Sequence, residues 1–135
     1  MRKFSVVISL IMVTSLSCDP EFQSRLVIEN SSEYIIEVGL FYEGATDSIN
    51  FFSLKIGHSY TFWEEGGMGG YLIYSPSELN IDSMHFSSPG VFSKGFTINT
   101  EGRNPFDLDD YVIDYKNRLR SAIFIITDED IENWK

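Results

Sequence analysis

The residues best suited to acid–base chemistry are the two histidines, His58 and His85. His58 follows a glycine at a predicted turn, and His85 falls within a predicted strand. A catalytic role would require them to meet each other, or two acidic side chains, in the folded chain. Neither histidine belongs to a nucleophile-elbow or zinc-protease motif. The sequence therefore predicts no catalytic residues and no enzymatic activity, with a small envelope hydrolase as the alternative.

Two further segments resemble parts of ligand-binding loops. Asp107-Leu108-Asp109-Asp110 has the acids of a calcium loop but lacks the glycine and the later glutamate of that motif. The glycine cluster 66–70 lacks the Lys-Ser/Thr of a phosphate loop and follows Glu64-Glu65. We expect a solvated turn at the first segment and a mobile loop at the second. No metal and no cofactor are predicted.

Aromatic side chains flank the glycine cluster, and these are the candidate binding residues. Tyr60 and Trp63 precede the cluster, and Tyr71 follows it. Aromatic rings stack on sugars or fill pockets on a protein partner. Because side chains alternate along a strand, we expect Tyr60 and Phe62 on one face and Trp63 on the other. Packing in the core is the competing explanation for these rings.

The composition excludes one class of partner. The 135 residues include 20 acidic and 10 basic side chains, and two of the basic ones, Arg2 and Lys3, precede the first apolar run. Such an acidic chain repels nucleic acid, so no nucleic-acid partner is expected. The single cysteine, Cys18, allows no disulfide within the chain.

The first 17 residues have the pattern of a secretory signal peptide. Arg2 and Lys3 are followed by an apolar run of about 13 residues from Phe4 to Leu16, which is too short to span a bilayer. Ser15-Leu16-Ser17-Cys18 resembles a lipobox, although the usual aliphatic residue three places before the cysteine is Ser15 here. The resemblance implies cleavage before Cys18 and lipidation of its thiol, which would anchor the chain in a membrane.

The resemblance also bears on location. Asp19-Pro20-Glu21 partly matches the acidic stretch that follows the cysteine in Bacteroidetes-type lipoproteins exported to the surface. An acidic residue directly after the cysteine instead resembles an inner-membrane signal under the enteric rule. We expect the outer membrane, with the periplasmic or surface face left open. Residues 18–23 are predicted to form a short tether, and residues 24–135 a single domain.

The periodicity of the mature chain is that of β-strands. Seven to nine short apolar runs, separated by turn residues, predict an all-β domain: an antiparallel β-sandwich (Ig-like or similar), with a barrel as the alternative. A short strand is expected at Tyr71–Tyr74, a hairpin around Ser88-Pro89-Gly90, a turn at Lys116-Asn117-Arg118 and a central strand at Ser121–Ile126. Thr127 followed by three acids predicts a short C-terminal helix that ends near Trp134.

Two tripeptides, Asp47-Ser48-Ile49 and Asp82-Ser83-Met84, resemble the O-glycosylation motif of Bacteroidetes-type exported proteins. The resemblance implies modification of Ser48 and Ser83, which would require both serines to lie on exposed turns or edge strands.

The mature chain as a whole resembles small Bacteroidetes lipoproteins of unknown function. Three segments carry this resemblance: Val27–Ile36, Arg103-Asn104-Pro105-Phe106 and Ile125–Asp130. The group implies location and β class but supplies no activity. We therefore expect a non-enzymatic envelope module that binds protein or glycan partners. The alternative is an accessory subunit of an outer-membrane transport or secretion complex.

Overall fold

A computed structural model describes residues 21–44 and 49–135. They form eight strands and one α-helix. The elements are β1 (Glu21–Asn30), β2 (Ile36–Tyr42), β3 (Ile49–Leu54), β4 (Ser59–Met68), β5 (Ile81–Ser88), β6 (Phe92–Phe96), β7 (Val112–Lys116), β8 (Leu119–Ile126) and α1 (Asp128–Trp134). Short 3-10 turns at Pro76–Leu79 and Leu108–Asp110 precede β5 and β7. The predicted all-β class and short C-terminal helix are confirmed. The signal peptide, Cys18 and Ser48 lie outside the described residues.

The strands form two four-stranded sheets, which we call sheet A (β4-β1-β8-β7) and sheet B (β3-β2-β5-β6). The prediction of purely antiparallel pairing is wrong, because β1 and β8 run parallel over Gln23–Asn30 and Leu119–Ile126. The pattern of apolar residues indicates which strands are buried but not their direction. These two strands lie at opposite ends of the chain, so no short turn fixes their relative orientation.

The two sheets share one apolar core. Each contributes alternate residues of its inner strands, such as Leu26 and Phe124 from sheet A and Leu40 and Phe86 from sheet B, all fully buried. The rings of Phe86 and Phe124 meet across the sheets at 6.2 Å. We call the face of each sheet that meets this core its inner face. The opposite, outer faces carry the residues between these core positions.

The end of the chain folds as its sequence predicts. β7 and β8 form a hairpin whose two turn residues, Asn117 and Arg118, both have positive φ, as a type I′ turn requires. Thr127 and Asp130 then form a capping box at the start of α1. Trp134 packs its ring against Phe86, Phe92 and Phe96, and so fixes the helix on the core.

The predictions around the glycine cluster are wrong in two respects. Gly66, Gly67 and Met68 belong to β4, which pairs with the start of β1, so they are not a loop. Tyr71–Tyr74 has no strand pairing and lies as a loop. Gly67 permits this arrangement, since an added Cβ would approach the Gly70 carbonyl oxygen to 3.0 Å. The glycines thus allow close approach of the loop, which propensity alone does not reveal.

A β-bulge overturns the predicted faces of Tyr60 and Trp63. Leu26 pairs with Trp63, whereas Val27 pairs with Thr61, so Phe62 is an extra residue in β4. The extra residue shifts the alternation by one position. Tyr60 and Trp63 therefore share the inner face.

The start of β1 also differs from the predicted boundary. This strand begins at Glu21, so residues 21–23, which the sequence assigns to the tether, pair with the end of β4.

Candidate functional site

The three aromatic residues proposed for binding lie along the inner face of sheet A but do not form one surface. Tyr60 stacks on Phe52 of sheet B at 3.9 Å and belongs to the rim of the core. Trp63 meets Tyr74 edge-to-face at 5.5 Å. Tyr60 and Trp63 both pack against the apolar core, whereas Tyr71, in the loop after β4, is half-buried outside that cluster. Packing therefore accounts for Tyr60 and Trp63, and Tyr71 is the candidate that the core does not explain.

Tyr71 bridges two strands of sheet A. Its ring lies 4.9 Å from that of Phe22 on β1 and 5.2 Å from that of Tyr115 on β7. Since β8 lies between β1 and β7, the Tyr71 ring crosses β8 at the end where Arg120 is found. The loop thus covers this end of the inner face with an aromatic ring.

Arg120 is the unusual residue beneath this loop. It is 5% exposed and faces inward, because it alternates with the core residues Ala122 and Phe124. Its register partners are Ser24 on β1 and Tyr115 on β7. The ion pairs found among the described residues, Arg103–Asp130 and Lys135–Glu132, do not include it. Its Nε has no hydrogen-bond partner.

Ser24, the register partner of Arg120 on β1, also has a buried polar atom without a hydrogen-bond partner. The residue is fully buried, and its Oγ likewise lacks a hydrogen-bond partner. An unsatisfied buried donor costs about 1–3 kcal/mol, and more when charged. Two such groups on neighbouring strands therefore form a local polar defect in an otherwise apolar face. No feature of the sequence predicts this pair, because an arginine just before a predicted strand is expected to be exposed.

A second feature lies on the outer face of sheet B. Phe51 is 65% exposed and Ile49 43% exposed on the edge strand β3, and the ring of Phe41 on β2 meets that of Phe51 at 5.9 Å. Phe51 lies across Gly39, where an added Cβ would come within 2.8 Å of the ring. The glycine therefore creates a flat place on which the Phe51 ring rests. We call Phe41, Ile49 and Phe51 the apolar patch.

The two histidines do not come together in an evident catalytic arrangement. His58 is exposed in the turn before β4, and its carbonyl oxygen accepts a hydrogen bond from the Asn30 amide. His85 lies on β5, with its Nε2 2.8 Å from the Ser93 hydroxyl. Ser83, on the same strand, is half-buried, and β6 pairs with β5 only from Met84 onwards. Glycosylation of Ser83 stays a prediction.

The acidic segment 107–110 forms a turn held by its own hydrogen bonds. The Asp107 carboxylate accepts from the Asp109 amide at 3.0 Å, and the Asp110 carboxylate accepts from the Asn104 amide at 2.7 Å. Within residues 21–44 and 49–135, no cluster of three or more His, Cys, Asp or Glu side chains has the arrangement of a metal site.

The three segments that carry the lipoprotein resemblance meet around α1. Arg103 forms an ion pair with Asp130 and donates to the Ile125 carbonyl at 2.7 Å. The Asp128 carboxylate accepts from the Glu33 amide at 2.8 Å. These contacts give the three segments a structural role, and we call the place where they meet the junction.

A pocket of about 290 Å³ opens beside this junction. Its charged lining includes Arg103 and Asp130, which already neutralise each other. This pairing leaves Lys94 and Glu101 as the other charged side chains of the lining.

Comparisons with protein-family models, with curated proteins and with solved structures give no match to this chain. In the part of the chain that the structure describes, no helix has the length and apolar character needed to cross a membrane.

Proposed function

We propose that the mature chain is a lipoprotein, anchored through Cys18 in the outer membrane, that acts as a non-enzymatic interaction module. We further propose that the domain is an Ig-like β-sandwich that binds an extended segment of a partner protein along β3. The observation that carries the binding proposal is the unprotected state of this edge strand.

Edge strands in native proteins are normally protected from pairing by charged side chains, prolines or bulges. The edge strands of the described sheets are β4 and β7 in sheet A and β3 and β6 in sheet B. Three of them carry charges, namely Glu64 and Glu65 in β4, Lys94 in β6, and Asp114 and Lys116 in β7. β3, with the sequence Ile-Asn-Phe-Phe-Ser-Leu, carries none. This strand lacks the usual barrier to an added strand.

The apolar patch lies next to this open edge. A partner strand paired with β3 would satisfy the free backbone groups and lay alternate side chains beside Ile49 and Phe51. Exposed aromatic and aliphatic groups supply most of the binding energy in such interfaces. The free backbone edge favours a polypeptide over a glycan, since only a peptide offers matching amide and carbonyl groups in series.

The decisive experiment places a charge on the edge strand. Phe51→Lys protects β3 in the manner of the other edges, and Val112→Lys makes the same change on the edge strand β7, where Val112 is 53% exposed. Tagged, lipidated protein would be crosslinked in native membranes and its partners identified by mass spectrometry. We expect Phe51→Lys to lose a partner that both the parent and Val112→Lys retain. Retention of every partner by Phe51→Lys would reject β3 as the binding edge.

Two further measurements address the remaining parts of the proposal. Light scattering of the purified protein shows whether the strand added at β3 comes from a second copy, in which case Phe51→Lys converts a dimer to a monomer. Labelled palmitate tests the anchor, since the parent should incorporate it and Cys18→Ala should not. A single stoichiometric membrane partner would identify the chain as an accessory subunit of a complex.

A further inference from the structure

We infer that Arg120 and Ser24 form the polar floor of a binding site for a small carboxylate, covered by Tyr71. The site lies on the inner face of sheet A and is separate from the β3 edge. Nothing in the interaction proposed for β3 requires it.

Both side chains of this polar floor carry hydrogen-bond donors. The Arg120 guanidinium carries donors only, and the Ser24 hydroxyl can donate as well. Ser24 and Arg120 are register partners on adjacent strands, so their side chains leave the same face of the sheet side by side. The Ser24 Oγ and the Arg120 Nε both lack partners. The two oxygens of a carboxylate would accept from both donors at once.

Charge identifies that acceptor as an anion. The chain has 20 acidic side chains, yet neither ion pair of the described residues involves Arg120. A nearly buried cation in so acidic a protein would readily find an internal carboxylate if its role were structural. The planar guanidinium fork matches the two oxygens of a carboxylate.

The surroundings define the rest of the ligand. The Tyr71 ring lies within contact distance of both the Phe22 ring and the Tyr115 ring around the end of β8. Aromatic walls beside a cationic floor suit a carboxylate that is attached to a ring able to stack on them, either an aromatic ring or a sugar. Entry requires Tyr71 to move outward. The loop that carries it follows Gly69 and Gly70, and Gly69 has a positive φ that other residues rarely adopt.

The test uses the mature, lipidated chain in detergent micelles, labelled with ¹⁵N. The Nε–Hε resonance of Arg120 reports directly on the unpaired donor. Phenylacetate and phenylacetamide form one pair of probes, and glucuronate and glucose form the other, all at constant ionic strength. We expect a saturable shift with at least one carboxylate and none with its neutral counterpart. The pair that gives the shift distinguishes an aromatic acid from a uronic acid as the class of ligand.

Variants show whether the response comes from this site. Arg120→Gln should abolish carboxylate binding measured by calorimetry, and Ser24→Ala should weaken it by about tenfold, the effect of losing one charge-assisted hydrogen bond. Arg118→Gln, at an exposed arginine in the adjacent turn, should bind as the parent does. If Arg120→Gln fails to fold, Ser24→Ala and Tyr71→Ala still test the site, and Tyr71→Ala should accelerate association.

Two results would overturn the inference. One is an Arg120 resonance that does not move with either carboxylate at the highest soluble concentration. The other is a shift that Ser24→Ala leaves unchanged in size and midpoint, because the bound anion would then lie elsewhere.

Discussion

Two arginines of the fold, Arg103 in the loop after β6 and Arg120 on β8 of sheet A, have opposite surroundings. Arg103 is partly exposed, yet it pairs with Asp130, donates to the Ile125 carbonyl and lies 4.4 Å from the Phe124 ring centre. Arg120 is more deeply buried, and its Nε has no partner. A buried charge that is fully paired holds elements together, whereas an unpaired one weakens the fold. The difference separates a structural junction from a candidate ligand site.

The same contrast holds for the uncharged polar residues of the two regions. Near the junction, the buried Asn104 side chain donates to the carbonyls of Thr97 and Thr100 and accepts from the Phe106 amide. Near Arg120, the buried Ser24 hydroxyl has no partner. Native proteins satisfy most buried polar groups. Among the buried side chains of residues 21–44 and 49–135, the exceptions are Ser24 and Arg120, which are register partners at one end of sheet A.

The largest expected effect comes from removing the acid of the junction. Asp130 accepts from Arg103 and from both the amide and the hydroxyl of Thr127. Asp130→Ala leaves Arg103 unpaired and removes the helix cap, so we expect the free energy of unfolding to fall by about 3 kcal/mol. Urea denaturation measures it. Glu129→Ala, at an exposed neighbour on the same helix turn, should change stability by less than about 0.5 kcal/mol.

The next prediction compares the two arginines directly. Arg103→Met should lower the free energy of unfolding by about 2 kcal/mol, because it strands the Asp130 carboxylate and the Ile125 carbonyl. Arg120→Met should leave stability unchanged or raise it by about 1 kcal/mol, because an apolar side chain replaces a buried cation whose Nε is unsatisfied. Equal losses in the two variants would show that Arg120 has a stabilising partner, and the contrast would fail.

The sequence predicted the parts of the fold that local patterns control. The β7–β8 turn at Lys116-Asn117-Arg118 and the cap at Thr127 involve residues within a few positions of one another, so their chemistry is visible in a short window. The hairpin around Pro89 and Gly90 was equally accessible. The direction of the strands is not visible in a short window, because the parallel β1–β8 pair joins residues about a hundred positions apart.

The candidate sites were harder to predict for the same reason. The aromatic side chain of Tyr71 makes it a candidate binding residue in the sequence. Its role, however, depends on Phe22 and Tyr115, which only the order of the strands brings together. Burial of Arg120 depends on the loop above it. The bulge at Phe62, which moves Trp63 to the inner face, arises from pairing with β1 and has no signature within β4 itself.

A smaller effect is expected in alkaline solution. Burial, with a smaller contribution from Asp110, raises the pKa of Tyr111 above its usual value of 10.0. The folded chain then keeps this hydroxyl protonated while the unfolded chain ionises. The stabilisation is therefore complete below pH 10 and is lost as the pH rises further, by at most about 1.4 kcal/mol per pH unit. Urea midpoints measured from pH 9 to 11 would follow it.

Tyr111→Phe provides the control for this pH dependence. It removes the group that ionises, together with the hydrogen bond from its hydroxyl to the Pro105 carbonyl at 2.6 Å. The variant should be less stable than the parent at pH 8 by about 1 kcal/mol, yet lose less stability between pH 9 and 11. Burial also raises the pKa of Tyr42, so the stability of Tyr111→Phe should still fall with rising pH, but less steeply than that of the parent. An unchanged slope would contradict the assignment to Tyr111.

The smallest expected effect compares two buried serines of sheet A and its first loop. The Ser32 hydroxyl donates to the Asn30 side chain at 2.7 Å and accepts from the Tyr34 amide, whereas the Ser24 hydroxyl has no partner. Ser32→Ala should cost about 1 kcal/mol, and Ser24→Ala should be neutral within about 0.3 kcal/mol. When the chain is saturated with a bound carboxylate, Ser24→Ala should become destabilising, because the variant would lose a hydrogen bond that exists only in the complex. A Ser24→Ala cost that is already present without ligand would instead indicate a buried water between Ser24 and Arg120, which satisfies both groups and leaves no acceptor to be supplied from outside.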